Sequence, residues 1–342
     1  MKKFLIVGLM LLLSLSLVLF GACAGDSDNH NYSSTWSYDG THHYKSCTDS
    51  GCAEVKDKAT HDIKDGSCSI CGYNNSVTVT ASEDNYRTVL KSLNEGDIVG
   101  LTDGQYGAFT LENVKNVTFI GLGEDVIFSD NVYINLGNEN LTFKNLTFKG
   151  GVTSKTGFEI NSAIDGLTIK DCIFKRYSQI RGMSKNENVK NIVIEDCTFT
   201  DIQDGEDELV SAINVYLVEN FTLKNCSFDN VEYNAVQIGN YGITGKIIVT
   251  GNEFVNIGDR ILYFVSVANI TESVISGNYF ENNSDCVKSD GQYIKVSTGE
   301  TGCIVVGQNT WAEIPGRNET AFCGIDKDYI VYDRTEQLTV EE

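Results

Sequence analysis

Four cysteines and three histidines fall within residues 36–73: His42, His43, Cys47-x4-Cys52, His61 and Cys68-x2-Cys71-Gly72. Paired cysteines in two knuckle-like clusters, with a histidine between them, have the spacing of a tetrahedral zinc site. Cys47, Cys52, Cys68 and Cys71 are the expected ligands, with His61 or His43 able to replace one of them. Glycine after the second pair permits the tight turn that points backbone amides at thiolate sulfur. A filled four-ligand shell is structural, because catalysis needs an open position. No segment here is apolar enough to make a core, so a module of this length folds around a metal or around disulfides. Two disulfides are the alternative use of these cysteines, and an extracellular setting favours them.

A second set of reactive side chains follows a recurring aromatic residue later in the chain. Lys175, Arg176, Tyr177 and Arg181 come after Phe174, and the run Asp201 to Glu208 comes after Phe199. Tyr233 and Asn234 follow Phe228, Asp259 and Arg260 follow Phe254, and Lys288 follows Phe280. In a shared register they line one flank as a lateral groove, with Lys175, Arg176, Tyr177, Tyr233, Asn234 and Asp259 as binding residues. Elimination on a uronate glycan needs the carboxylate neutralised by calcium or arginine, and a base to take the C5 proton. Lys288, Arg260 and Arg181 are the candidates for that chemistry. Asp204 and Asp207, within D-x-x-D-G-x-D-E, form a candidate calcium loop. Paired carboxylates there could also serve hydrolysis, although adjacent acids on one exposed loop usually just face water.

The elements that position these residues are written as a repeat. Asn145-Leu146-Thr147-Phe148, Asp171-Cys172-Ile173-Phe174, Asp196-Cys197-Thr198-Phe199 and Asn225-Cys226-Ser227-Phe228 share one pattern. Gly251-Asn252-Glu253-Phe254, Gly277-Asn278-Tyr279-Phe280 and Gln308-Asn309-Thr310-Trp311 continue it, so that the anchor recurs every 25 to 31 residues. Before each anchor lies a short alternating strand such as Leu167-Thr168-Ile169. Period-two alternation at a fixed coil length predicts strands stacked as solenoid rungs. Two positions before the aromatic, small thiols give way to asparagines, which predicts an inward ladder satisfying buried backbone. Ser82 starts an expected capping helix whose apolar face is Tyr86, Val89, Leu90 and Leu93.

The fold class expected is therefore all-β, a single-stranded right-handed parallel β-helix solenoid with an N-terminal capping helix, preceded by a small metal-binding module. The helix followed by Gly96-Asp97-Ile98-Val99-Gly100-Leu101, through Tyr106, resembles the entry of pectate-lyase-like β-helices, and the likeness covers roughly residues 77–335. Val287-Lys288-Ser289 resembles the catalytic Lys-Ser of the alginate and chondroitin lyase family, where the resemblance implies a lysine base with an arginine acid one rung later. Here Arg317 is the nearest following arginine, and Arg260 lies a rung earlier. Residues 36–75 resemble the zinc-ribbon-like modules of bacterial surface proteins.

Met1-Lys2-Lys3, the apolar run Phe4 to Phe20, and Gly21-Ala22-Cys23 read as a signal peptide over 1–22. The cysteine after the cut resembles the lipobox of bacterial lipoproteins, which implies acylation of Cys23 and a bilayer anchor. Residues 23–35 read as a polar tether and 336–342 as an acidic tail. Removing 1–22 takes away two lysines and no acids, so the formal charge goes from −21 to −23. With no Lys/Arg run, that charge excludes nucleic acid as a partner. The expectation is an extracytoplasmic, membrane-anchored protein that binds a polysaccharide or another surface partner along its groove without catalysis. The alternative is a polysaccharide lyase. Structural zinc is the expected cofactor, with calcium a second candidate, while the pairing of Cys286, Cys303 and Cys323 stays open.

Overall fold

The computed structural model describes residues 30–38, 42–49, 51–64, 67–73, 77–151, 155–203, 210–281, 293–299, 304–312, 323–324, 330–333 and 336–338. Residues 1–22, Cys23, Asp204, Asp207, Cys286, Lys288 and Cys303 lie outside the described residues, as do residues 339–342 and the side chain of Cys323. The chain divides into two compact units, one ending at Ser76 and one beginning at Val77.

In the first unit Ser37–Tyr38, His42–Ser46 and Val55–Thr60 form a three-stranded antiparallel sheet. Ile63–Lys64 pairs with Ser67–Cys68 in a second, two-stranded one. Val55–Thr60 is exposed along its whole length. Among the described residues of this unit only His43 and Cys68 are buried. Packing of apolar side chains does not hold such a unit together, as its composition predicts.

The second unit is an all-β parallel solenoid with almost no helix. Each rung supplies three short strands. Those carrying the anchor aromatics stack into a ten-stranded sheet that runs from Gly104–Tyr106 and Val126–Phe128 to Thr310–Ala312 and Glu336–Leu338. The other two strand rows join in an eighteen-stranded sheet, because in later rungs they merge into single strands such as Ile213–Lys224 and Val236–Thr250. Identical positions stack in register, so Phe128, Phe148, Phe174, Phe199, Phe228, Phe254 and Phe280 form one buried column with successive ring centroids 4.5–5.2 Å apart. That spacing is the inter-strand repeat itself. Tyr106 extends the column by one further rung. The repeat as aligned on the sequence begins at Phe148; the structure adds the two rungs before it.

The first residue of each four-residue repeat turns the corner. Asn145, Asp171, Asp196, Asn225 and Gln308 all have φ between 52° and 55°, and Gly251 and Gly277 occupy the same place. Asn, Asp and Gly visit the left-handed region at least cost, which explains the choice of residue there. The next residue points inward, as expected: Leu146, Cys172, Cys197, Cys226, Asn252, Asn278 and Asn309 are all buried. Asn278 Nδ2 donates to Val249 O, and its Oδ1 accepts from the backbone N–H and the side-chain amide of Asn252, all at 2.9 Å. Cys226 Sγ donates in the corresponding way to Ile194 O.

The capping helix is shorter than the apolar spacing suggests. One α turn, Tyr86–Val89, leads into a 3₁₀ turn, Leu90–Ser92. Asn85 Oδ1 accepts from Ser82 N–H at 2.8 Å, closing a turn before the helix so that Ser82 does not start it. Tyr86 is buried, and Val89, Leu90 and Leu93 pack on the end of the core as the spacing requires.

Candidate functional site

The cysteines and histidines of the first unit gather into two groups. His43, His61, Cys68 and Cys71 bring one ligand atom each to within 4.8 Å of one another, and His30, Cys47 and Cys52 do the same. Either could hold a metal ion. The sequence reading places all four cysteines in one shell and leaves His30 in the tether, so the division is a correction. It follows from chain pairing. Tyr32 bridges Cys47 antiparallel, and Thr48 N–H donates to Asn31 O at 2.8 Å, which carries His30 to the first cysteine pair.

The first group is the more enclosed. Cys68 Sγ lies 3.7 Å from His43 Nδ1, and Cys71 Sγ lies 3.3 Å from His61 Nδ1. Trp36 meets the His43 ring edge-on at 4.9 Å, while Tyr73 stacks on His61 at 4.0 Å, fixing both imidazoles. Gly72, at φ +74°, closes the knuckle, and Gly72 N–H donates to Cys68 O. Burial pushes the Cys68 thiol up, but the backbone N–H groups of Cys71 and Ile70, together with His61, outweigh it and hold it at about 6. A thiol so tuned is a ready thiolate ligand. In the second group the Cys47 thiol is pushed up to about 11 by burial and by neighbouring Cys52.

On the solenoid, the residues expected along one flank divide among different faces. Lys175 stacks between Lys149 and Thr200 on the ten-stranded sheet. Arg176 is exposed at a corner with φ 59°. Tyr177 is buried, with Lys155 over its ring at 5.3 Å. Arg181 belongs to the eighteen-stranded sheet and pairs with Glu159 at 3.8 Å. Burial pushes the Glu159 carboxyl up, and the Arg181 charge opposes it.

Tyr233, Asn234, Asp259 and Arg260 do come together. Asp259 N–H donates to Tyr233 O at 3.0 Å, and Arg260 N–H to Asn234 Oδ1 at 3.0 Å. The Arg260 side chain, only 14% exposed, pairs with Asp259 at 3.3 Å and lies over the Tyr263 ring at 4.6 Å. Burial and the Asp259 carboxylate beside it push the Tyr233 hydroxyl up. Asn234 Nδ2 passes a hydrogen bond to Gln237, and Gln237 passes one to Asn240. This network leads from the interior to the sheet surface.

Strand register reveals a row that sequence reading missed. Tyr133, Glu159, Arg181, Asn214, Gln237, Tyr263 and Lys295 occupy successive rungs at one position of the eighteen-stranded sheet. None of the seven is buried, while their neighbours within each strand are, apart from the half-buried Val296 beside Lys295, so the row faces outward. No protein-family model matches this chain, and no curated protein matches it significantly. A row of planar amides, charges and phenol rings, one per rung, can engage a ligand that repeats along its own length.

Proposed function

We propose that this chain is a lipid-anchored, extracytoplasmic display protein that holds an elongated ligand, a polysaccharide or another surface partner, along its solenoid without catalysis. The observation that carries the reading is the outward row from Tyr133 to Lys295, spanning seven rungs in unbroken register. Such a row offers one polar or aromatic contact every 4.7–4.9 Å, a pattern suited to a linear polymer. Arg181 and Arg260, the arginines a lyase would spend on substrate, each pair with a carboxylate of the protein itself. In the same reading Cys23 carries the anchor, and zinc occupies the half-buried His43, His61, Cys68 and Cys71 group, where it replaces a missing core.

Retention on polysaccharide gels tests the row. The mature protein should be slowed by at least one neutral or acidic glycan, and Tyr133→Ala with Gln237→Ala should abolish the retardation while leaving the thermal midpoint within a few degrees. A doubly substituted protein retained as strongly as the parent would exclude the row as the binding surface.

A further inference from the structure

We infer that the His30, Cys47 and Cys52 group is a second metal site with Asp49 as its fourth ligand, distinct in lability from the buried one. Ligand atoms at about 2.0–2.3 Å from a tetrahedral metal stand roughly 3.3–3.8 Å from one another. Cys47 Sγ and Cys52 Sγ lie 3.7 and 3.4 Å from His30 Nδ1. Asp49 Oδ2 is 3.5 Å from Cys47 Sγ and 3.9 Å from His30 Nδ1, which sets a carboxylate oxygen beside two of the three ligands. Its carboxylate is held there. Asn31 donates its backbone N–H to Oδ2 at 3.0 Å and its side-chain amide to Oδ1 at 2.9 Å, the kind of outer hydrogen bonding that orients a metal-bound carboxylate. The Asp49 carbonyl accepts from Cys52 N–H at 3.0 Å, so one turn carries both ligands.

The two sites differ in chemistry. Two thiolates and two neutral imidazoles balance a divalent ion at the buried site. At the second site two thiolates, one imidazole and one carboxylate leave a net charge of −1, and binding sends both thiol protons to solvent. His43 and Cys68 at the first site are 2% and 3% exposed, whereas His30 and Asp49 side chains are 36% and 41% exposed. Exposure and an oxygen donor make the second site the one that exchanges its metal.

The test is zinc content and release from the mature full chain under a colorimetric chelator. Two equivalents should be bound and should leave in two phases, the faster from the second site. Cys47→Ser should remove the fast equivalent and Cys68→Ser the slow one. Asp49→Asn should speed the fast phase at least tenfold and leave the slow phase unchanged. In the cobalt-loaded protein, Asp49→Cys should strengthen thiolate charge-transfer absorption, a change that a merely structural role for Asp49 does not produce. A single equivalent lost only with Cys68→Ser would overturn this inference and leave the zinc reading of the buried site standing. A Cys47–Cys52 disulfide seen by intact mass would overturn it too, as would a cobalt spectrum indifferent to Asp49→Cys.

Discussion

The inward ladder shows how single residues hold the solenoid. Asn278 is buried and makes five hydrogen bonds to neighbouring rungs through its side chain and backbone amide, two of them donated from its Nδ2 and its own N–H to Asn309 Oδ1. Asn278→Ala strands the N–H of Asn252 and the carbonyl of Val249, at about 1–3 kcal/mol for each buried group left unpaired. Denaturant unfolding of that variant should show a loss of at least 2 kcal/mol, and a loss below half of that would contradict the ladder's role. Cys226 fills the corresponding place with a thiol that donates to Ile194 O but accepts only weakly. Burial and the neighbouring Cys197 push its ionisation up, with Cys197 the larger influence, so this thiol is inert in the folded state. Alkylation of Cys172, Cys197 and Cys226 should therefore require denaturant, and rapid native labelling would show that the rungs open. The ladder was legible because its residue types change together at one repeat position. The corner conformation at Asn145 or Asp171 was legible in principle from the same alignment, since these residue types tolerate positive φ.

At the scale of elements, stacked strands bring charges into columns that run across rungs. Lys170 Nζ bonds Glu195 at 3.1 Å and Asp196 at 2.8 Å, and Lys224 bonds Glu195 at 3.1 Å. The hydrogen bonds from Lys224 and Lys170 hold the Glu195 carboxyl below its usual range. Burial raises Asp196, but bonds from Lys170 and Asn225 outweigh it and bring that carboxyl down as well. Carboxyls depressed by folding contribute stability that is complete above their unfolded pKa and is lost as pH falls through the folded one. Lys170→Met should flatten the decline in thermal midpoint between about pH 5 and pH 2; a decline as steep as the parent's would remove this network from the account. Asp171 acts in the opposite sense, because its burial raises the carboxyl. The aromatic column carries more. Phe199→Ala opens a cavity between two stacked rings and should cost about 3–5 kcal/mol. The anchor strands were readable from the aromatic repeat, whereas the row from Tyr133 to Lys295 was not. Its strands follow corners of unequal length, so that Arg181 and Asn214 become neighbours across 33 residues, while Glu159 and Arg181 do so across 22. The sequence grouped Lys175 with Arg181 by distance from Phe174, and the intervening corner at Arg176 puts them on different sheets.

For the molecule as a whole, two units with different sources of stability should fail separately. The solenoid buries continuous columns of apolar side chains, while the first unit buries only His43 and Cys68 among its described residues. Chelation should therefore unfold the first unit alone. Trp36, which packs on His43, should change its fluorescence as zinc is withdrawn, while the far-ultraviolet β signal of the solenoid persists; loss of both together would contradict independent units. The cysteine pairs were visible in the sequence, but their division into two groups was not, because it depends on Asn31 and Tyr32 pairing back against Cys47 and Thr48. On the proposed function, the solenoid binds an elongated ligand and does not cleave it. The most direct measurement incubates the mature protein with a panel of polysaccharides, with and without calcium, and reads gel retention alongside new reducing ends and ultraviolet-absorbing products. A non-catalytic binder is retained by at least one glycan and releases no new ends. New ends that disappear in Arg260→Ala would contradict the proposed function and assign the Tyr233, Asp259 and Arg260 cluster to catalysis.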